Sequence, residues 1–297
     1  MNTVINQVIT DNFAAYNGDC VEVLPMLKEN SIGLSVYSPP FASLFTFSDS
    51  ERDMANVSSN EEFFECYQKV VDEIFRTTKE GRLTCVHCID IPTTKGKDGV
   101  VGFYDFSGDI IKAHIKAGFT YHDRITIWKD PVVEMQRTKA LGLLYKTCRT
   151  DATRTRTGNA DYILTFRKPV DGVNDKTPDP VTHNADEYAV SLWQKVASPV
   201  WMDINQSDTL NVKIARSDKD LKHLSPLQLG VIERLVLHYS NKGDVVLTPF
   251  LGVGSEAYVA LKLNRKAIGI ELKEEYFKTA VGYLKEAESS FINGRLI

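Results

Sequence analysis

The chain has 297 residues, 43% of them hydrophobic and 25% charged, with a net charge of −4, five cysteines and no long apolar run. That balance excludes a disordered chain, and no stretch approaches the roughly 18 apolar residues of a membrane span. The start, Met1-Asn2-Thr3-Val4-Ile5-Asn6, lacks the basic and apolar runs of a signal peptide, and irregularly spaced cysteines argue for a reducing compartment over a disulfide framework.

Val21, Leu24 and Leu27 space a short helix that Asn30-Ser31 ends. Residues 34–37 form a strand-like run halted by Pro39-Pro40, and residues 42–60, rich in Ser, Asp and Asn, read as a long loop. Phe63, Phe64, Tyr67, Val70, Val71, Ile74 and Phe75 recur at helical spacing, with Ser59 or Asn60 as the cap and Gly81 past the end. A strand over 83–89, a helix through Ile110 to Ile115 closed by Gly118, and strands over 119–128 and 162–166 follow. Residues 168–187, with Pro169, Gly172, Pro178 and Pro180, predict a linker. Beyond it come a helix near 225–239, a strand over 245–247, a helix from Ser255, a strand over 267–270 and a closing helix. Strands alternating with helices predict an α/β fold with a doubly wound, mostly parallel sheet. Ligands in such folds sit beyond the carboxyl ends of the strands.

Charge is unevenly spread. Between Arg124 and Lys168 stand ten Lys/Arg and only Asp130, Glu134, Asp151 and Asp161 as acids, so this stretch carries +6 and the rest −10. A basic patch on an acidic body can steer a polyanion to one place. A solvated loop of long cations would give the same count.

Two segments carry the chemistry. In the first, the strand over 245–247 leads through Thr248, Pro249 and Phe250 into a turn with Gly252 and Gly254, and a helix opens at Ser255. Glycines there admit a ligand close to backbone, and the helix start offers N–H groups to an anion. Glu271 follows the next strand, 17 residues beyond Gly254, where a carboxylate can accept from ribose hydroxyls. Ala257 stands where a dinucleotide fingerprint would have its third glycine, so the ligand expected is adenosine-bearing with a carboxylate.

In the second, Ser38-Pro39-Pro40-Phe41 directly follows a strand. Two prolines stiffen the corner and leave carbonyl acceptors. With the Ser38 hydroxyl and the Phe41 ring, these suit a planar base bearing an exocyclic amino group.

Together the two segments resemble the amino-group DNA methyltransferases that use S-adenosylmethionine. In that family a Ser/Asp/Asn-Pro-Pro-aromatic tetrapeptide is the catalytic loop, and an Asp-Pro-Phe-x-Gly-x-Gly segment holds the cofactor. Tyr16-Asn17-Gly18-Asp19-Cys20 looks like the segment whose acid contacts the adenine. Lys222-His223-Leu224-Ser225-Pro226 looks like the one lying against the methionine moiety, and Gly269-Ile270-Glu271 like the ribose-binding acid. The resemblance therefore implies a Rossmann-like methyltransferase fold and S-adenosyl-L-methionine as cofactor. It makes Ser38, Pro39, Pro40 and Phe41 catalytic. It assigns Asp19, Cys20, His223, Pro226, Thr248, Pro249, Phe250, Gly252, Gly254, Ser255 and Glu271 to the cofactor.

The catalytic loop precedes the glycine turn, the order of the beta arrangement. Residues 1–128 are then the catalytic half and 221–297 the cofactor half. The stretch 129–220 between them is a small inserted target-recognition region and linker, with Arg137, Lys139, Lys146, Arg149, Arg154 and Arg156 on the DNA. The implied partner is double-stranded DNA, with a homodimer and a cognate restriction endonuclease compatible with it. The implied setting is a prokaryotic cytoplasm, nucleoid-associated or phage-encoded, without membrane contact.

Two departures stand out. Thr248 replaces the usual Asp of the cofactor segment, which raises a catalytically weak nucleic-acid-binding module as the alternative. Ser38 in place of Asp leans toward N4 of cytosine over N6 of adenine. RNA or protein-glutamine methylation, served by related loops, is disfavoured by the long basic insertion. Methylation at cytosine carbon 5 needs a Pro-Cys nucleophile that the chain lacks. Cys85 and Cys88 have zinc-like spacing but lie in an expected strand without a second pair, so no metal is expected. Trp193 and Trp201 are expected in the core, whereas Trp128 borders the basic region.

Overall fold

The structure, a computed structural model, describes residues 4–40, 59–172, 175–185, 188–210 and 227–294, with backbone alone at 137 and 290–294. Eleven strands are formed among these residues: β1 (Val4–Ile9), β2 (Phe13–Gly18), β3 (Ile32–Tyr37), β4 (Thr78–Cys88), β5 (Ile91–Thr93), β6 (Gly102–Tyr104), β7 (Thr120–Ile127), β8 (Asp161–Arg167), β9 (Val200–Trp201), β10 (Val245–Thr248) and β11 (Lys266–Glu271). The helices are α1 (Cys20–Val23), α2 (Asn60–Thr77), α3 (Lys95–Asp98), α4 (Phe106–Ala117), α5 (Pro131–Thr138), α6 (Tyr145–Thr150), α7 (Val190–Val196), α8 (Leu229–Tyr239), α9 (Ser255–Lys262) and α10 (Glu274–Gly294).

Nine strands make one sheet in the order β1-β2-β11-β10-β3-β4-β8-β7-β9, and β5 and β6 pair separately. The run β2-β11-β10-β3-β4 is parallel throughout. Around it, β1 and β8 add antiparallel to β2 and β4, and β7 pairs antiparallel to β8. Side chains alternate across the sheet as the period of two requires. Leu34, Val36, Cys85 and Val246 meet the apolar stripes of α8, α9 and α10 on one face. Tyr37, Val86, Cys88 and Leu247 meet α1, α2 and α4 on the other. The doubly wound, mostly parallel sheet expected from the alternation is therefore present.

The chain order fixes where a ligand can sit. From β3 the chain steps through α2 to β4 on one side, and from β10 through α9 to β11 on the other. The crevice where these directions diverge lies beyond the carboxyl ends of β3 and β10.

Several expectations need correcting. Gly81 does not end α2 but lies inside β4. The Thr77 and Thr78 hydroxyls donate to the carbonyls of Glu73 and Ile74 at 2.8 and 2.6 Å, closing the helix without a glycine. The stretch 168–187 has no helix or strand among its described residues, yet it is no loose linker. Lys168 is buried and donates to Asn30 and the Thr78 carbonyl, while Asp179 pairs with Lys79 at 2.7 Å. The interval 129–220 also cuts across the sheet, because β8 is bonded to both β4 and β7. Trp201 is buried as expected, but Trp193 is 52% exposed because α7 turns Val196 inward instead. No described helix is long and apolar enough to cross a membrane.

Candidate active site

Register brings the two chemical corners together. Val246 and Leu247 of β10 lie beside Leu34 and Ser35 of β3, so three residues farther on Phe250 and Ser38 leave the sheet side by side. The Tyr37 and Phe250 rings stand 5.8 Å apart. Behind this corner, the buried Tyr37 hydroxyl is bonded to Tyr67 and to His114 Nε2, each at 3.1 Å. His114 donates through Nδ1 to the Ile110 carbonyl, and burial pushes its imidazole down to about 3, so it stays neutral and accepts from Tyr37. Ser38, Pro39 and Pro40 thus start from an anchored strand end.

On the cofactor side, Gly252 and Gly254 adopt φ of +54° and +97°. A Cβ at Gly254 would also come within 3.1 Å of the Ala280 Cβ, so the turn and its packing both require glycine there. No side chain caps the start of α9. Glu271 closes the turn: its Oε2 accepts from the Gly252 N–H at 2.7 Å and its Oε1 from the Lys273 N–H at 2.8 Å. Each carboxylate oxygen has two lone pairs, so the same group can also accept from a ribose. Asp19 caps α1, accepting from the Val21 N–H at 2.9 Å, and Cys20 is a buried thiol whose pKa burial pushes well up.

The polar lining fits an adenosine-bearing ligand with a carboxylate. Asn17 Oδ1, Thr248 Oγ1 and Ser255 Oγ are buried and have no hydrogen-bond partner among the described residues. Such groups normally find one, and a polar ligand in the crevice would supply it. Phe41, His223 and Pro226 lie outside the described residues.

One buried carboxyl beside the glycine turn gives a pH prediction. Glu256 is 6% exposed, and burial pushes its carboxyl up from 4.5 to about 7. Its folded pKa is raised, so stability is full below 4.5 and declines as pH rises toward about 7. Glu256→Gln is expected to be more stable than the parent by about 3 kcal/mol at about pH 8, with the difference shrinking toward acid. Thermal melts across pH check this; a gap of constant size contradicts it.

The basic stretch divides in two. Lys129 pairs with Asp161 at 2.5 Å, Arg167 with Asp175 at 2.6 Å, and Lys168 is buried, so these three cations serve the fold. Lys139, Lys146, Arg149 and Arg154 are exposed, and Arg156 is half-buried with its guanidinium 4.7 Å from the Phe103 ring centre. Arg137 lies on α5, its side chain outside the described residues. Cys85 and Cys88 face opposite sides of the sheet, and no described residues form a cluster fit for a metal.

Sequence reasoning missed a polar row at the carboxyl edge. Ser38 Oγ lies 2.9 Å from His87 Nδ1, and His87 Nε2 lies 3.4 Å from Asp161 Oδ2. Burial alone would push the Asp161 carboxyl up, but His87 and Lys129 outweigh it and hold the group below its ordinary range. The local signal, His87 near the end of β4 and Asp161 at the start of β8, names neither residue's partner.

A family model described as DNA methylase, of the N6/N4 methyltransferase type, matches residues 32–282. The type II methyltransferase M.MjaI of Methanocaldococcus jannaschii is 26% identical over 287 residues, covering 89% of this chain and 88% of its own. TTHA0409 from Thermus thermophilus, complexed with S-adenosyl-L-methionine, superposes with a TM-score of 0.67 at 24% identity, over 95% of this chain and 96% of that one. The cytosine-N4-specific PvuII DNA methyltransferase gives 0.65 at 16% identity, over 96% and 94%. At these identities the two structures speak for the fold.

Proposed function

The chain belongs to the N6/N4 DNA methylase family, and from that premise we propose that it transfers a methyl group from S-adenosyl-L-methionine to an exocyclic amino group of a DNA base. The observation that carries this reading is the pairing of β3 with β10, which sets the Ser38-Pro39-Pro40 corner beside the Thr248–Ser255 turn at the topological switch. Bound there, the cofactor supplies an electrophilic sulfonium methyl. Glu271 would accept from its ribose and Asp19 would face its adenine. The α9 start, Thr248 Oγ1 and Ser255 Oγ would take the remaining polar groups.

The target amine is out of reach within a stacked duplex, so the base has to be flipped into the pocket. Ser38 Oγ and the Pro39 carbonyl would accept its amino hydrogens and Phe41 would stack on the ring. The nitrogen lone pair is thereby aimed at the methyl, and rate comes mainly from positioning. N4 of cytosine is the favoured target, because a hydroxyl stands where a carboxylate would be; N6 of adenine is the alternative. Incubating the protein with plasmid and cofactor, then resolving the digested nucleosides by mass spectrometry, tests this. N4-methylcytosine is expected; N6-methyladenine would change the base, and the absence of both products would refute the reading.

The exposed cations between β7 and β8 supply the complementary charge for duplex DNA, and we assign target recognition to residues 129–160. Replacing Arg149 and Arg154 together with alanine is expected to weaken DNA binding about tenfold or more. The slope of log affinity against log salt should fall by about 2, as two phosphate contacts are lost. Binding titrations at several salt concentrations check this, and an unchanged slope would remove these residues from the interface.

A further inference from the structure

Ser38 differs from a carboxylate in one respect that matters here. An ionised Asp offers the target amine acceptors only, whereas a serine hydroxyl carries a proton and rotates. With that proton pointing at the amine, the two donors would oppose each other. Something has to draw it away.

The strand order supplies a candidate. Tyr37 of β3 lies beside Val86 of β4, so Ser38 stands next to His87. His87 in turn opposes Ile163 of β8, and Asp161, two residues back, is its same-face diagonal neighbour. Lys129, just past β7, completes the row. The contacts are 2.9 Å from Ser38 Oγ to His87 Nδ1, 3.4 Å from His87 Nε2 to Asp161 Oδ2, and 2.5 Å from Lys129 Nζ to Asp161 Oδ1. Asp161 is 3% exposed and Lys129 13%, so the row is built into the sheet edge.

Asp161 Oδ2 lies 3.4 Å from Nε2 without the alignment of a hydrogen bond, and its negative charge favours the tautomer with the proton on that nitrogen, which leaves the Nδ1 lone pair toward Ser38. We propose that His87, backed by Asp161 and Lys129, is a positioning residue. It takes the hydrogen bond of the Ser38 hydroxyl and so fixes Ser38 Oγ as an acceptor toward the target amine. This rests on the reading of Ser38 given above. The charged groups facing His87 are Asp161 from β8 and Lys129 from beyond β7. On its own strand Cys85 is a thiol that burial keeps neutral, and Asp90, farther along, accepts from the Ser107 N–H at 3.1 Å.

The test is single-turnover methyl transfer to plasmid DNA, using the full chain and S-adenosyl-L-methionine, with cofactor affinity measured beside it. Wild type is compared with His87→Leu, His87→Asn, Ser38→Ala and the Ser38→Ala/His87→Leu double variant.

His87→Leu should lower the rate about tenfold with cofactor affinity unchanged. His87→Asn, whose amide oxygen can replace Nδ1 as an acceptor, should recover most of that rate. The double variant should be no slower than Ser38→Ala, because both changes remove one function. The proposal is overturned by a wild-type rate in His87→Leu, by a His87→Asn rate no higher than that of His87→Leu, or by additive losses. If His87→Leu does not fold, His87→Ala takes its place in the same comparison. A wild-type protein that methylates no amino group would instead refute the reading of Ser38, so the two failures are distinguishable.

Discussion

Replacing Ser38 by alanine is expected to slow methyl transfer to DNA about a hundredfold or more, while leaving the affinity for S-adenosyl-L-methionine close to that of the parent. Both halves follow from geometry. Ser38 leaves the end of β3 on an anchored corner, whereas the cofactor crevice is built from β2, β10, β11 and the start of α9. Alanine removes the hydroxyl acceptor proposed for the target amine, and misplacement of a reacting atom by about 1 Å costs on the order of a hundredfold in rate. It touches neither Glu271 nor the glycine turn, which are bonded to each other. Single-turnover rates with labelled cofactor, beside calorimetric titration of the cofactor, check the two halves. An unaltered rate would remove Ser38 from the chemistry. Lost cofactor affinity would mean that the substitution had disturbed the crevice itself.

Asp244→Ala is expected to destabilise the fold by about 3–5 kcal/mol, the usual cost of leaving a buried charge without its partner. Arg82 reaches from β4 across β3 to Asp244 at the foot of β10, donating on the way to the Gly33 carbonyl at 3.0 Å. Its side chain is 1% exposed. Gly33 makes room for this: a Cβ there would lie 2.7 Å from the Asp244 Cγ and 2.9 Å from Arg82 Nη2. Asp179 stands 3.9 Å from Arg82 but is half exposed, so it compensates weakly. The clamp ties together, at their amino ends, the strands whose carboxyl ends carry the two chemical corners. The loss should lower the melting temperature by roughly 5–8 °C. A thermal melt within a degree or two of the parent would contradict the account.

What could be read before folding was what is contiguous. Ser38-Pro39-Pro40 and the turn through Gly252 and Gly254 each lie within a few residues, and their types dictate local backbone. The apolar periodicity of α2 and α8 was equally legible. Long-range pairing was not. Nothing near His87 announces Asp161 or Lys129, which join it only because β8 enters the sheet antiparallel, with its start at the edge where β4 ends. Cys85-Val86-His87-Cys88 has zinc-like spacing, and in β4 the two thiols point to opposite faces of the sheet. Edge strands were also hidden. β1 exposes Ile5 and Ile9 and alternates weakly, and β9 has two residues. The charge count overstated the basic patch because Lys129, Arg167 and Lys168 are engaged in internal pairs.

The central claim is that the β3 and β10 corners hold an amine against a methyl donor. A crystal structure of the protein with a duplex substrate and a non-transferring cofactor analogue tests it most directly. The account predicts a flipped base whose amino nitrogen lies within hydrogen-bond distance of Ser38 Oγ and the Pro39 carbonyl, with the analogue's ribose on Glu271. A base held elsewhere, or an analogue bound away from Gly252 and Gly254, would contradict it.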